Sequence, residues 1–349
     1  MEPYLPMPVE YFKNQHDFIR LSESIGNNLN LIQGAGGNTS FKDGEVLWVK
    51  ASGCWLRDAI KKNIFVPVNW RGVIKRLQNC EGDPVTPEII QCDDVVNMRP
   101  SIETTLHALL PHKYVVHTHS INMMVTAILD NGKQQLFDLL DGMNWSWVPY
   151  SRPGVPLALA IQKASQSNPD IFVLANHGVI FGAESIAEVS QLLYELERRV
   201  ERIARSYKVD TNIDKAKVLI NNSDYRLSKY PIVQSLAFDK VAQTIASTRS
   251  LYPDHVVFLG NGPMTILKID ELHTYLQNKG DNYDNVIIVE DLGVFVLQTL
   301  SEGAEAMLHC LTNVLLRIQP EDRLRYLTIQ EESELIVWDA EKYRQKIQQ

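Results

Sequence analysis

The sequence predicts an α/β protein: a three-layer α/β/α arrangement with one sheet covered on both faces by helices, then a smaller α/β domain. Three observations carry this. Strand-like and helix-like segments alternate along the whole chain, the pattern of a sheet whose strands are joined by helices. With 349 residues, 45% apolar and 22% charged, the chain has the length of two ordinary domains and enough apolar residues for a sizeable core. A polar stretch at 209–231, "VDTNIDKAKVLINNSDYRLSKYP", separates two apolar-rich portions.

Taken in order, residues 8–30 read as helix and run into "QGAGGNTSF", where glycine density ends any regular element. "EVLWVKASG" alternates as a strand ending at Gly53. "IFVPVNW" gives another strand, with a helix over "RGVIKRLQN". In "RPSIETTLHALLP", Pro100 blocks helix before it, Ser101 can cap the N-terminus, and Pro111 ends the run. "KYVVHTHS" is then a strand and "INMMVTAIL" a helix. "DIFVLANHGVIFG" reads as strand, turn at His177-Gly178, and strand. The amphipathic helix "ESIAEVSQLLYELERRVERIARS" follows, its charged face suited to solvent or to another subunit.

Past the polar stretch, "HVVFLG" reads as a strand, followed by a strand–helix piece, the hairpin "NVIIVEDLGVFVLQ" and the helix "EGAEAMLHCLTNVLLRI". A capping box from Thr328 to Glu331 opens a helical tail. The expected division is residues 1–208, a linker at 209–224, and a domain at 225–349. The second domain can be laid on the first as a shortened, degenerate copy. "YVVHTHSINMM" at 114–124 falls on "HVVFLGNGPMT" at 255–265, and "ANHGVIFG" at 175–182 falls on "EDLGVFVL" at 290–297. In that overlay Phe258, Gly260 and Leu292 stand where His117, His119 and His177 do.

A formal net charge of -8, with no cluster of Lys or Arg to offset it, argues against a nucleic-acid or anionic-membrane surface. Any anionic ligand must be held locally, by loops and helix ends. The four cysteines, Cys54, Cys80, Cys92 and Cys310, form no C-x-x-C pair and fit reduced thiols in a cytoplasmic protein. The first residues show neither a basic n-region nor an apolar h-region, and no stretch approaches eighteen uncharged apolar residues. A soluble, cytoplasmic protein is therefore expected.

Five of the nine histidines fall between 107 and 177. Two of them, His117 and His119 in "VVHTHS", are two apart on a predicted strand, so both side chains share one face. Two imidazoles so placed can reach one ion, since metal–nitrogen bonds are about 2.0–2.1 Å. Glu103 and His107 share a helix face, with Glu103 in the first turn where the helix dipole favours a carboxylate. His177 stands in a turn between apolar strands. Three histidines and a carboxylate form a donor set for a divalent metal that polarises oxygen. "GAGGNTS" at 34–40 is neither a P-loop nor a dinucleotide fingerprint. It reads as a tight turn or as a backbone nest for an anion. "ASG" at 51–53 and the helix opening at Ser101 offer two more small-residue sites of that kind.

"GAGGNTS", "VKASG", "RPSIETTLH", "VVHTHS" and "ANHGV", in this order and spacing, resemble the class II aldolase/adducin family. The likeness is nearest to the aldolase portion of bifunctional rhamnulose-1-phosphate aldolase/short-chain dehydrogenase proteins. The matches span roughly residues 30–185, and these 349 residues hold no glycine-rich dehydrogenase motif. The resemblance implies a zinc-type site with His117, His119 and His177 as ligands and Glu103 as metal-proximal carboxylate and general base. It implies that Gly37, Asn38, Thr39, Ser52, Gly53 and Ser101 cradle a substrate phosphate, and that the chains assemble as homo-tetramers. Ile102 departs from the pattern, because phosphate-binding relatives carry a second hydroxyl residue there. Related pentulose-phosphate epimerases have Asp at the Glu103 position, which favours aldol chemistry here.

The implied activity is a metal-dependent lyase acting on a sugar phosphate such as a ketose 1-phosphate, with Tyr150 of "WVPYSRPG" a candidate proton donor. A sugar-phosphate epimerase or decarboxylase would use the same groups. A non-catalytic scaffold like the adducin head should have lost them.

Overall fold

A computed structural model describes residues 15–92, 97–278 and 284–337. The expected helical stretch at 8–14 and the tail beyond 337 lie outside the described residues. The chain divides into two compact units. One comprises residues 1–127 and 132–201, and the other residues 128–131 and 202–349.

The first unit contains α1 (His16–Asn27), β1 (Asn38–Asp43), β2 (Val46–Lys50), β3 (Phe65–Asn69), α2 (Trp70–Gln78) and α3 (Thr104–Leu109). It continues with β4 (Tyr114–Thr118), α4 (Ile121–Ala127), α5 (Gly132–Leu139) and β5 (Trp145–Val148). It closes with α6 (Val155–Ala164), β6 (Ile171–Leu174), β7 (Gly178–Ala183) and α7 (Ile186–Arg199). The strands form one seven-stranded mixed sheet in the order β3-β2-β1-β4-β7-β6-β5. Every pairing is antiparallel except β5 with β6. Both faces are covered, so the sheet is the middle of three layers.

Alternation along the strands decides which residues meet which helices. On one face Phe41, Val116, Val173 and Phe181 pack with Phe18 and Ile25 of α1, Met123 of α4 and Leu193 and Leu196 of α7. On the other, Val115, Phe172 and Ile180 pack with Leu106 of α3 and Leu157 and Ile161 of α6. Each such side chain, fully buried, is worth about 1.5–3 kcal/mol of transfer free energy. His117 lies two residues after Val115, so it shares the α3 face. This places the opening of α3 against it.

Helix α3 is shorter than the sequence suggested. Ser101 to Glu103 form a turn in which Ser101 Oγ accepts from the Glu103 amide (3.2 Å), and Thr104 Oγ1 donates to Ser101 O (2.7 Å). Glu103 is thus the N-cap residue and not part of the first turn. At the far end Leu110 is extended, φ -68° and ψ 136°, as the residue before a proline must be.

The second unit contains α8 (Ile213–Leu219), β8 (Tyr225–Leu227), α9 (Lys240–Ala246), α10 (Pro253–Leu259), β9 (Thr265–Leu267) and α11 (Ile269–Asn278). The hairpin β10 (Val286–Val289) and β11 (Gly293–Leu297), then α12 (Glu302–Arg317) and α13 (Ile329–Ile336), complete it. Its four strands are ordered β8-β11-β10-β9. The stretch at 209–224 contributes α8, whose Ala216 joins Tyr225, Ile287 and Phe295 in the core of this unit. The capping box at Thr328 and Glu331 is present.

The strand expected at "HVVFLG" is instead helix α10. Pro253 opens it at the first turn, and Gly260, at φ 112°, closes it. Proline just inside the start and glycine just past the end is helix punctuation. All seven α10 residues are buried, so the run carries no alternation to separate it from a buried strand. Val256–Leu259 therefore does not sit in a sheet with Ile287–Val296, and the degenerate-copy reading of the second domain is overturned.

Candidate functional site

The site gathers at the ends of the three central strands of the seven-stranded sheet, where β1 begins, β4 ends and β7 begins. Asn38 pairs with His117 across β1 and β4, and His117 pairs with Ile180 across β4 and β7. His177 sits in the β6–β7 turn, beside Asn176 at φ 53°. Two glycines allow the strands to close here. A Cβ on Gly37 (φ 57°) would lie 2.6 Å from His117 O, and one on Gly178 would lie 2.4 Å from Thr118 O.

His117, His119 and His177 are buried, and each offers one nitrogen, all within 4.8 Å of one another. Ring centroids are 4.9 Å apart for His117–His119 and His117–His177, and 5.2 Å for His119–His177. His117 Nδ1 donates to Val179 O (3.0 Å), which leaves Nε2 as a lone pair, 3.1 Å from His119 Nε2. Glu103 completes the group, with Oε2 3.5 Å from His117 Nε2 and Oε1 3.6 Å from His177 Nε2. Two nitrogens bound tetrahedrally to one ion at about 2.0–2.1 Å stand about 3.3 Å apart. The donor set therefore fits a divalent cation in both chemistry and spacing.

Burial pushes the Glu103 carboxyl up, but positive charge at His117, His177 and His119, with the hydrogen bond from the Asn38 amide, outweighs it and holds the carboxyl at about 2. Burial pulls His107 down to about 3 against the opposing charge of Glu103, so its ring is neutral. The carboxylate of Glu103 is anchored at one oxygen only. Asn38 Nδ2 donates to Oε2 (2.8 Å), while Oε1 accepts no hydrogen bond among the described residues.

Of the residues expected to cradle an anion, Asn38, Ser101, Ser52 and Gly53 come together beside Glu103. Asn38 Nδ2 also donates to Ser101 Oγ (3.1 Å). The turn at Ser52 and Gly53 is tied to Ser101 by an Ala51–Pro100 bridge and by Ser52 N to Arg99 O (2.8 Å). Thr39 does not join them. It points to the α1 face, bonded to Ser22 Oγ (2.8 Å). Tyr150 lies two residues beyond the end of β5, half-buried, and β5 is three places along the sheet from β4.

Sequence reasoning missed two contributors. Lys50 is buried, and its Nζ donates to Ala35 O and Cys54 O, both at 2.8 Å, clamping the two glycine-bearing loops together. A lysine ending the apolar run "VLWVK" was the available signal. Ser40 is the other, bonded through its Oγ to His107 Nδ1 (2.6 Å). Its signal is its position two residues after Asn38, on the same strand face.

Among the described residues no helix is long and apolar enough to cross a membrane. Residues 17–203 match the model of the class II aldolase and adducin N-terminal domain. Over 209 residues the chain is 32% identical to YuxG of Bacillus subtilis, named as an uncharacterised oxidoreductase. That alignment covers 56% of this chain and 30% of YuxG, so the chain spans less than a third of that relative. The N-terminal class II aldolase domain of a Thermoplasma acidophilum protein is 23% identical, with 57% of this chain and 98% of that one covered and a TM-score of 0.47. For YgbL of Klebsiella pneumoniae the values are 22% identity, 56% and 88% coverage and a TM-score of 0.41.

Proposed function

Because the chain belongs to the class II aldolase and adducin family, we propose that it is a metal-dependent aldehyde-lyase making or breaking a carbon–carbon bond in a sugar phosphate, such as a ketose 1-phosphate. The observation that carries this reading is the buried set His117, His119 and His177 facing an ionised Glu103. A divalent ion held there, zinc being the best match to three imidazoles and a carboxylate, supplies Lewis-acid polarisation of a carbonyl or hydroxyl oxygen.

The chain's own residues do the rest. Glu103, through the unbonded Oε1, takes the proton from the hydroxyl at the carbon being released. The bonding electrons pass to the carbon beside the carbonyl, which is then protonated, with Tyr150 the candidate donor. Ser101, Ser52 and the turns at Gly37 and Gly53 hold the phosphate oxygens, and Lys50 fixes those turns against each other. Burial of Glu103 and the three rings excludes bulk water, which strengthens each of these polar contacts.

The motif order also supports kinship with the aldolase portion of bifunctional rhamnulose-1-phosphate aldolase/short-chain dehydrogenase proteins, in keeping with a relative named an oxidoreductase that shares 30% of its length. The exposed Cys80 thiol suits a reducing, cytoplasmic setting. Incubation of the metal-loaded protein with a panel of ketose 1-phosphates, followed by product analysis, tests the reading. Release of dihydroxyacetone phosphate and an aldehyde supports it. An epimer or carbon dioxide as the product would replace it.

A further inference from the structure

A buried chain of hydrogen bonds leads to Glu103, and all its donors point the same way. Asn38 Nδ2 donates to Glu103 Oε2 (2.8 Å), so Asn38 Oδ1 is turned toward α3 and meets His107 Nε2. Oδ1 can only accept, so His107 carries its proton on Nε2. His107 Nδ1 is then a lone pair and accepts from the Ser40 hydroxyl (2.6 Å). Ser40 and His107 are fully buried, and Asn38 is 3% exposed.

We propose that His107, oriented by Ser40, is a positioning residue that selects Glu103 Oε1 as the proton-accepting oxygen, and that Asn38 couples this choice to the anion seat at Ser101. The proposal rests on the lyase reading above. Without the His107 donor Asn38 Oδ1 loses its partner, and the orientation of the amide rests on its Nδ2 contacts alone; a flipped amide would set Oδ1 against the carboxylate. With it, Oε2 is pinned, while Oε1 accepts no hydrogen bond among the described residues.

Ser101 supplies the coupling. Its Oγ accepts from Asn38 Nδ2 (3.1 Å) and from the Glu103 amide (3.2 Å), so its own proton is left to donate to an incoming oxyanion. An anion that draws the Ser101 hydroxyl therefore pulls on one hydrogen of the Asn38 NH2 group whose other hydrogen holds Glu103 Oε2. Asn38 thus acts through its side chain as a link between the anion seat and the base.

The test combines the tautomer with kinetics. In metal-loaded protein labelled with 15N-histidine, two-bond 1H–15N correlations report which ring nitrogen of His107 bears the proton, the signals being assigned by their loss in His107→Gln. The expected tautomer is Nε2–H. His107→Phe, which keeps the ring shape without the donor, should lower kcat by about 10–100-fold, the usual effect of removing an outer-shell partner. KM should stay within about three-fold. His107→Gln, whose amide can donate at the Nε2 position, should restore most of kcat. A wild-type protein with the proton on Nδ1 overturns the proposal even if His107→Phe fails to fold. A folded His107→Phe with normal kcat overturns it as well. If no ketose phosphate is turned over by the wild type, the lyase reading fails, and the tautomer still decides the direction of the chain.

Discussion

Replacing Glu103 by glutamine keeps the shape of the side chain and removes the base. In the native site Oε2 accepts from Asn38 Nδ2 at 2.8 Å and Oε1 faces His177 Nε2 at 3.6 Å. A glutamine amide will turn its oxygen to Asn38, because that contact needs an acceptor, and so aim its NH2 group at His177. The fold is retained, since the buried Asn38 donor keeps a partner. Two losses follow. Turnover falls by about 10²–10⁴-fold, the usual contribution of a general base, or about 3–5 kcal/mol of transition-state stabilisation. Metal affinity falls too, because the NH2 group competes for the His177 lone pair and the carboxylate charge is gone. The assay is steady-state release of dihydroxyacetone phosphate from ketose 1-phosphates, with metal content measured on the same preparation and circular dichroism as the fold control. A variant with kcat within about three-fold of wild type would refute the assignment and leave Glu103 a helix-cap charge.

Gly178→Ala places a methyl 2.4 Å from Thr118 O and 3.3 Å from atoms of the His117 and His119 rings. A competition titration should show metal affinity about 10–100-fold lower, and an unchanged affinity would mean that β4 and β7 need not stay so close. Thr39→Val strands the buried Ser22 hydroxyl, so denaturant melts should show a loss of about 1–3 kcal/mol with kcat/KM little changed. A large rise in KM would return Thr39 to the anion seat. Burial holds His255 at about 4, with Glu332 opposing, against about 6.5 when exposed. The unfolded chain therefore protonates first, and stability that is full above about 6.5 falls as pH drops toward 4, by about 3 kcal/mol from this residue. Urea melts at pH 7.5 and pH 5 should show a smaller acid loss in His255→Gln, and identical losses in both proteins would refute the shift.

Much of the site was legible because strand and turn geometry is local. His117 lies on β4 and His119 just past its end at Thr118, so the i, i+2 spacing brought the two rings together although the strand stops one residue short of the second. The apolar strands around His177 mark its turn. The sequence could not show which face of β1 looks at α3. Asn38 and Thr39 are neighbours in one motif, yet alternation sends the first to Glu103 and the second to Ser22. Ser40 and His107 are 67 positions apart, and only the sheet order β1-β4 with α3 above it brings them together. In the second unit the buried run at 255–259 was misread because its apolar content has no periodicity of its own. The deciding signals were Pro253 and Gly260 at its ends.

Metal content tests the histidine site most directly. Wild-type protein, passed through a desalting column with a mild chelator to strip surface ions, should retain about one divalent ion per chain, zinc by preference, and His119→Ala should retain less than about a tenth of that, since two imidazoles and a carboxylate are too few donors for a closed set. A wild type that neither carries nor takes up an ion, or a His119→Ala variant with full occupancy, would contradict the assignment of His117, His119 and His177 as a metal centre.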